Sequence, residues 1–442
     1  MPTNSPATEA PPDPAAASPA LDPELPQLLS VGAVLRISLL RRLWYAQVIS
    51  VFGDFLVLFA VIGVLTFRLH ATAGQITGVQ VSYLLPIAIL GVIAGVFVDR
   101  WPVKPTLVAS DAVRAGLVLL LLLATRLWHY YAVLAAISVV SSFFAPAQGV
   151  AIRSAVPAHG LRAANALMQQ VMFGMRILGP AVAAFLVGAF GPISCYLADS
   201  ASFVGSALLI ASVAFNLPPK APPQPVPGAP QPAALARIWI DMKQGIDFIA
   251  HHASLLFVIL ALASGMFVIG CFGPLIAVYV RDNLHSSTRV FGLASALIGV
   301  GMLVGINLLT AVAKNLKSST LVYSGLAGIA AGLTFLAATA HVWSTFLGNF
   351  VIGLAVAGIV IPSQTLIQQE TPPPLMGRVG STVMSLVFTA QISGLLLSGV
   401  LAASIGVRQV FAVCAVLLAV LIAVGRLWME PKERGQGEAP SR

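Results

Sequence analysis

Five charged side chains stand inside otherwise apolar runs of this 442-residue chain: Asp54, Asp111, Arg114, Arg176 and Asp199. Asp54 lies 12 residues beyond Arg42, about 18 Å along a helix rising 1.5 Å per residue. That distance puts it near the middle of a bilayer. An ionised acid there costs roughly 2.5–3.5 kcal/mol on insertion scales, so it must be paired, face a wet cavity or be protonated. Two chemistries fit: a carboxylate that takes up and releases protons, or a structural acid held by an ion pair or by the backbone beside Gly53. Arg176, 14 residues past Arg162, is about 21 Å deep by the same measure. It can pair with Asp54, read an anionic group on a substrate, or hold a backbone carbonyl. Asp111 and Arg114 are three apart and share a helix face. They form either a self-neutralising pair or the continuation of a charged latch that starts at Asp99. Asp199, in "LADSASF", is a further proton-coupling candidate with Asp54 and Arg176, although it fits a structural duty better than a functional one.

That latch would lie in "GVFVDRWPVKP", Gly95 to Pro105, where Asp99, Arg100 and Lys104 end a long run without charge. A carboxylate beside a helix N-terminus gains roughly 0.3–1 kcal/mol, up to about 2 when partly buried. A contact of that size biases one of two conformations without freezing either; the plainer alternative is a solvated turn. Gly95 would let helices pack closely there.

No enzymatic constellation accompanies these charges. The chain has no Gly-x-x-x-x-Gly-Lys phosphate loop, no convincing nucleophile–base pairing, and seven scattered histidines. Cys195, Cys271 and Cys414 lie in apolar stretches without metal-ligand spacing and read as small core residues. The expectation is a non-enzyme without cofactor or metal, independent of ATP and nucleic acid.

The elements that must position the charges follow from composition. The chain is 58% hydrophobic and 9% charged, with mean hydropathy +0.93, against roughly 25% charge in soluble domains. It is an all-α polytopic membrane protein. Twelve runs of spanning length begin near Leu43, Ile76, Pro105, Tyr130, Ala163, Ile193, Leu255, Val290, Thr320, Trp343, Gly380 and Val407. Of the 24 basic residues, 17 fall in the tails and in the loops on the same side, and five (Arg68, Arg126, Arg281, Arg289, Arg408) on the other. By the positive-inside rule both termini are cytoplasmic. The first 27 residues hold eight prolines and no basic start before an apolar core, so they read as a disordered tail rather than a cleavable signal.

The expected organisation is a tail (1–40), a six-helix bundle (41–215), a linker with an interfacial helix (216–252), a second six-helix bundle (253–428) and a C-terminal tail (429–442). The linker, Asn216 to Pro232, has eight prolines in 17 residues and is semi-rigid. Sliding the chain by 216 superposes Pro146 on Pro362, Gln148 on Gln364, Pro157 on Pro373 and Arg162 on Arg378. Parallel six-helix repeats with a pocket between them describe a transporter architecture. Gln148, Gln170, Gln364 and Gln391 are the expected polar lining, since an amide facing lipid is costly. Tyr83, Phe173 and Phe388 are the expected aromatic lining.

"GVFVDRWPVK" resembles the loop motif after the second helix of major facilitator superfamily transporters. "SVFGDFLVLFAVIGVLTF", "FFAPAQ", "RAANAL" and "LGPAVAAFLVGAFG" resemble the first, fourth and fifth helices of its exporter branch, which includes enterobactin exporters and macrolide or multidrug efflux proteins. The likeness runs from about Leu43 to Arg426. It departs where Pro102 replaces the motif's glycine, where only Lys104 remains of its adjacent basics, where Arg153 replaces a proline, and in "TAVAKNLKSS", which has no acid. The resemblance implies that Asp99 latches the halves by facing the start of the eleventh helix, and that Gly174, Gly179 and Pro180 correspond to an antiporter signature. It further implies a multi-pass protein of the cytoplasmic (inner) membrane, expected to be monomeric. Its partners are protons, the lipid bilayer and a small amphipathic substrate (a drug such as a macrolide, a siderophore or another secreted metabolite), exported by proton antiport and alternating access. The alternatives are a lysophospholipid transporter, an uncoupled facilitator, or a transport-dead sensor or scaffold.

Overall fold

The computed structural model describes residues 29–98, 101–215, 243–312, 316–372 and 375–428. Among these, twelve long helices form two sets of six. The first set is α1 (Ser38–Phe67), α2 (Ala73–Val98), α3 (Val103–Leu119, continued by a 3-10 turn to Leu123), α4 (Leu127–Ala155), α5 (Leu161–Phe190) and α6 (Pro192–Ala211). The second is α7 (Ala253–Asp282), α8 (Thr288–Val312), α9 (Ser318–Ala338), α10 (Val342–Glu370), α11 (Met376–Ile405) and α12 (Val407–Trp428). Each expected apolar run begins inside one of these helices, within five residues of its start. Eleven are long and apolar enough to cross a membrane, and the described apolar stretch of α5 is Leu178–Phe190.

The two sets repeat one another at a fixed step. Every helix of the second set starts 215 residues after its counterpart: Ser38 and Ala253, Ala73 and Thr288, Val103 and Ser318, Leu127 and Val342, Leu161 and Met376, Pro192 and Val407. The turn residues agree. His70 and His285 both have φ 48°, and Gly191 and Gly406 have φ 81° and 87°, a region glycine enters without penalty. The step is therefore 215, not the 216 that the matched prolines suggest. Pro146 and Pro362 lie inside α4 and α10 rather than at their ends; Pro157 and Pro372, just beyond those helices, are 215 apart. Packing repeats as well. Contacts α1–α6, α1–α5, α2–α4, α3–α4 and α3–α6 recur as α7–α12, α7–α11, α8–α10, α9–α10 and α9–α12. The halves meet chiefly through α5–α8 and α2–α11.

The helices alternate in direction. Both described chain ends and the linker ends therefore lie at one end of the bundle, here the terminal end; the other is the distal end. The first bundle starts earlier than residue 41. Val31–Leu35 is a short helix capped by Ser30, Val34 is fully buried, and the Leu29 amide donates to the His159 carbonyl (3.3 Å). Leu29, Val34 and Ile37 are apolar, and they cover the junction of α4 and α5. Before α7, residues 243–250 are helical. There Gly245 leaves no room for a Cβ beside the Arg378 carbonyl and Thr382 of α11, which docks this segment on the second bundle.

A buried charge cluster in the first bundle as the candidate functional site

α3 presents Asp111 and Arg114 one turn apart, and the two form an ion pair with both side chains buried. The Asp111 carboxylate also accepts from Ser206 Oγ of α6 at 2.6 Å. The Arg114 guanidinium lies over the rings of Phe144 (4.5 Å, α4) and Phe203 (4.3 Å, α6), a placement that stabilises a desolvated cation. Arg114 Nε has no hydrogen-bond partner among the described residues. Ser200 Oγ donates to the Ala115 carbonyl (3.0 Å), tying α6 to α3 at this level.

Asp199, also buried, stands on α6 with Ser202 Oγ donating to its backbone carbonyl (2.7 Å) and its carboxylate (3.2 Å). Gly53 of α1 lies so close that the Asp199 carboxylate and Ser202 hydroxyl occupy the space a Cβ would take. This contact draws α1 against α6 and brings Asp54 into the group. Tyr83 of α2 lies close enough to Asp54 to interact with its carboxylate, and the Arg114 charge acts on Asp54 and Asp199 as well as on its ion-pair partner Asp111. The Tyr83 backbone is held in turn by Ser138 Oγ of α4, which donates to its carbonyl at 2.5 Å.

Three carboxylates thus gather around one guanidinium in the middle of the bundle, and Asp111 alone is ion-paired with it. Fully ionised, these four groups carry net charge −2. Desolvating an ion costs several kcal/mol even when paired, so the arrangement favours states in which the excess charge is met by bound protons or by a bound cation. The chemistry available is reversible protonation coupled to a cation or to a movement of helices.

The sequence leaves Asp111 and Arg114 as a self-neutralising pair or an extension of the edge latch, and groups Asp54 with Arg176 and Asp199; the pair is present. The geometry instead joins Asp111, Arg114, Asp54 and Asp199. Asp111 is about 12 Å into α3, and its partners come from α6 and from its own helix. Asp99 and Arg100 lie outside the described residues. Arg176 and Phe173 are on α5, Gly95 on α2, with nothing described beyond the backbone. Lys104 Nζ donates to the Val213 carbonyl (2.7 Å), pinning α3 to the end of α6. Gly174 faces open space, whereas the place of a Gly179 Cβ is filled by Phe55, the neighbour of Asp54. Pro180 offers its carbonyl 3.3 Å from where a Gly292 Cβ would stand. The glycine–proline motif accordingly sets helix spacing. Gln148 Nε2 donates to Gln47 Oε1 (2.6 Å). Gln170, Gln364 and Phe388 are exposed and Gln391 is half-buried. Among the described residues no hydrogen bond joins the four glutamines, and Tyr83 belongs to the charge cluster rather than to an aromatic lining.

One feature had no sequence signal beyond a single basic residue on the charge-poor side. Arg281 of α7 donates to the carbonyls of Thr66 (3.0 Å) and Ala71 (2.7 Å) across the halves, and it pairs with Asp282 at 2.5 and 2.8 Å. Thr77 and Ser398 hydroxyls meet at 3.0 Å between α2 and α11, and Phe59 stacks on Phe291 at 4.5 Å between α1 and α8. These contacts cluster toward the distal end.

The repeat sharpens the site. At the 215-residue step Asp54, Tyr83, Asp111, Arg114 and Asp199 are replaced by Ile269, Ile298, Leu326, Ile329 and Cys414. The second bundle carries apolar side chains at every one of these positions. It closes instead by glycine: Gly353 of α10 lies against the Ile298 carbonyl and Gly301 of α8 against the Phe350 carbonyl, too near for any Cβ.

A family model described as the Major Facilitator Superfamily matches residues 43–385, and again 256–442. The chain is 28% identical over 387 residues to the uncharacterized MFS-type transporter YfiS of Bacillus subtilis (strain 168), covering 86% of this chain and 90% of that one. It is 24% identical over 386 residues to macrolide efflux protein A of Streptococcus pyogenes, covering 85% and 92%. Among solved structures it is similar to the nucleoside transporter NupG (TM-score 0.66, 14% identity, 89% and 99% covered). It is also similar to a bacterial homologue of the iron transporter ferroportin in an inward-facing state (TM-score 0.65, 16% identity, 88% and 98% covered). The twelve helices, their two-fold repeat and the match along nearly the whole of both bundles agree: the chain belongs to the major facilitator superfamily.

Proposed function

We propose that this transporter is a secondary exporter that couples release of an amphipathic organic compound to proton entry, with Asp54 as the group that carries the proton. The observation behind this reading is the excess of buried carboxylate over guanidinium around Asp54, which makes proton uptake and release the natural way to balance charge. The likeness to a macrolide efflux protein supports outward transport and makes a macrolide the first substrate to try. The bias of basic residues supports a cytoplasmic terminal end in the cell's inner membrane.

In this reading the arrangement described here, with its halves joined toward the distal end, is open toward the cytoplasm. Substrate enters there and meets Asp54 from the α1 side. A substrate cation, or the approach of Arg114, favours the ionised acid, and the proton leaves to the cytoplasm. The halves then rock about α5–α8 and α2–α11, the distal contacts part, and substrate departs on the far side. Asp54 takes a proton from that side, which lowers the charge of the cluster and favours return. Tyr83 fixes the Asp54 carboxyl, and Asp111 keeps Arg114 in place.

The test is pH-gradient-driven macrolide transport in proteoliposomes. Asp54→Asn should keep substrate binding and downhill exchange but lose uphill transport. Uphill transport at the wild-type rate would move the proton to another group. Downhill flux with no pH dependence in the wild type would favour an uncoupled facilitator.

A further inference from the structure

On the outer side of the seam between the halves, a groove of about 390 Å³ runs between α5 and α8. Its lining is Ala181, Ala184, Phe185, Gly188, Arg289 and Leu293. Gly292 packs at its base against Ala184 and the Pro180 carbonyl, so the floor is a direct contact between the two halves. Phe185 and Leu293 flank it and are 66% and 53% exposed. The groove is apolar along about 10 Å of α5, from Ala181 to Gly188, and it ends at the distal rim with a single cation.

That cation is Arg289. Its stem lies over the backbone of α5 at Gly188, Nε 3.1 Å and Cγ 3.7 Å from where a Cβ would be. Its side chain is exposed, and it has no hydrogen-bond or ion-pair partner among the described residues. Because α8 begins at Thr288, Arg289 sits at the membrane edge, where a long basic side chain reaches the headgroup layer. A guanidinium there binds a phosphodiester through paired, charge-assisted hydrogen bonds. The trough below it takes an acyl chain.

We propose that this groove binds a phospholipid with an anionic headgroup in the leaflet at the distal end, its phosphate on Arg289 and one chain between Phe185 and Leu293. Such a lipid touches both halves where their distal contacts lie. By mass action it stabilises the distally closed arrangement, so the composition of that leaflet sets how readily the halves part.

The probe is native mass spectrometry of the purified full-length protein with phosphatidylglycerol and phosphatidylcholine offered in equal amounts. Both lipids bring a phosphodiester, but the choline cation of phosphatidylcholine opposes Arg289, so wild type should retain phosphatidylglycerol in preference by about tenfold, equivalent to about 1.4 kcal/mol. Arg289→Gln should erase the preference, and Arg289→Lys should keep most of it. Leu293→Trp fills the trough without touching the cation and should also lose the lipid, which separates a built site from loose attraction to an arginine. Equal retention of both lipids by wild type, or an undiminished preference in Arg289→Gln, overturns the proposal. So does a Leu293→Trp variant that holds phosphatidylglycerol normally but loses substrate transport, which would make the groove a substrate portal.

Discussion

The two bundles have the same helices in the same order at a constant 215-residue step, yet they are held together by different chemistry. In the first, α1, α3 and α6 converge on charge, with Asp111, Arg114 and Asp199 buried and Asp54 half-buried beside them, and with Ser200, Ser202 and Ser206 supplying hydroxyl contacts. In the second, Ile269, Leu326, Ile329 and Cys414 take those places, and α8, α9 and α10 close through glycine. One pair of equivalent sites condenses the contrast. Ser138 reaches the Tyr83 carbonyl with a hydrogen bond, while its counterpart Gly353 lets α10 touch the Ile298 carbonyl directly. Duplication fixed the frame and left each half free to hold it differently. The half built on charge can change its protonation; the half built on close apolar contact can only move as a body.

The largest expected effect comes from moving the charge. Cys414→Asp places an acid at the position equivalent to Asp199, but with Ile329 where Arg114 would be. An unpaired acid at that depth costs roughly 2.5–3.5 kcal/mol, so the inserted, folded yield measured by fluorescence-detected gel filtration should collapse. A normal yield would mean that the second bundle has hidden polar capacity. Next is Gly353→Ala, whose Cβ meets the Ile298 carbonyl; overpacking of this kind costs about 1–3 kcal/mol. Its mirror image, Ser138→Ala, loses a single hydrogen bond of about 0.5–1.5 kcal/mol. Thermal unfolding of both variants should therefore rank Gly353→Ala below Ser138→Ala, and the reverse order would sink the contrast. A smaller shift is expected at the distal clasp. Arg281→Ala removes two donations across the halves, and spin labels at the distal ends of α1 and α7 should report a larger share of separated conformers. An unchanged distance distribution would show that Thr77–Ser398 and the Phe59–Phe291 stack close that end unaided.

Much of the frame was legible in the sequence because a bilayer demands long apolar runs, and twelve of them are plain. The fine register of the repeat was not. Pro146 and Pro362 are the eye-catching pair, but prolines inside helices drift by a residue without moving the helix ends, and the unremarked histidine and glycine turns keep the true step. Asp54 declared itself by depth alone. Its partners did not, since Tyr83 looks like any half-buried aromatic and the pair Asp111–Arg114 satisfies its own i, i+3 spacing without help. What joined them was Gly53, whose missing side chain lets α1 lie on Asp199, and no pattern in one dimension distinguishes that glycine from the others. Arg281 was hidden for a related reason: its partners are backbone carbonyls, which every residue has.

The proton that moves with substrate should reside in the first bundle, and counting protons tests this most directly. Purified protein in weak buffer, mixed with saturating macrolide, should release protons in the wild type. Asn349→Ala, which removes a buried amide that donates to the Ala294 carbonyl in the second bundle, should release as many, and Asp54→Asn none. Release from Asp54→Asn equal to that of the wild type would contradict the assignment and place the coupling group outside this cluster.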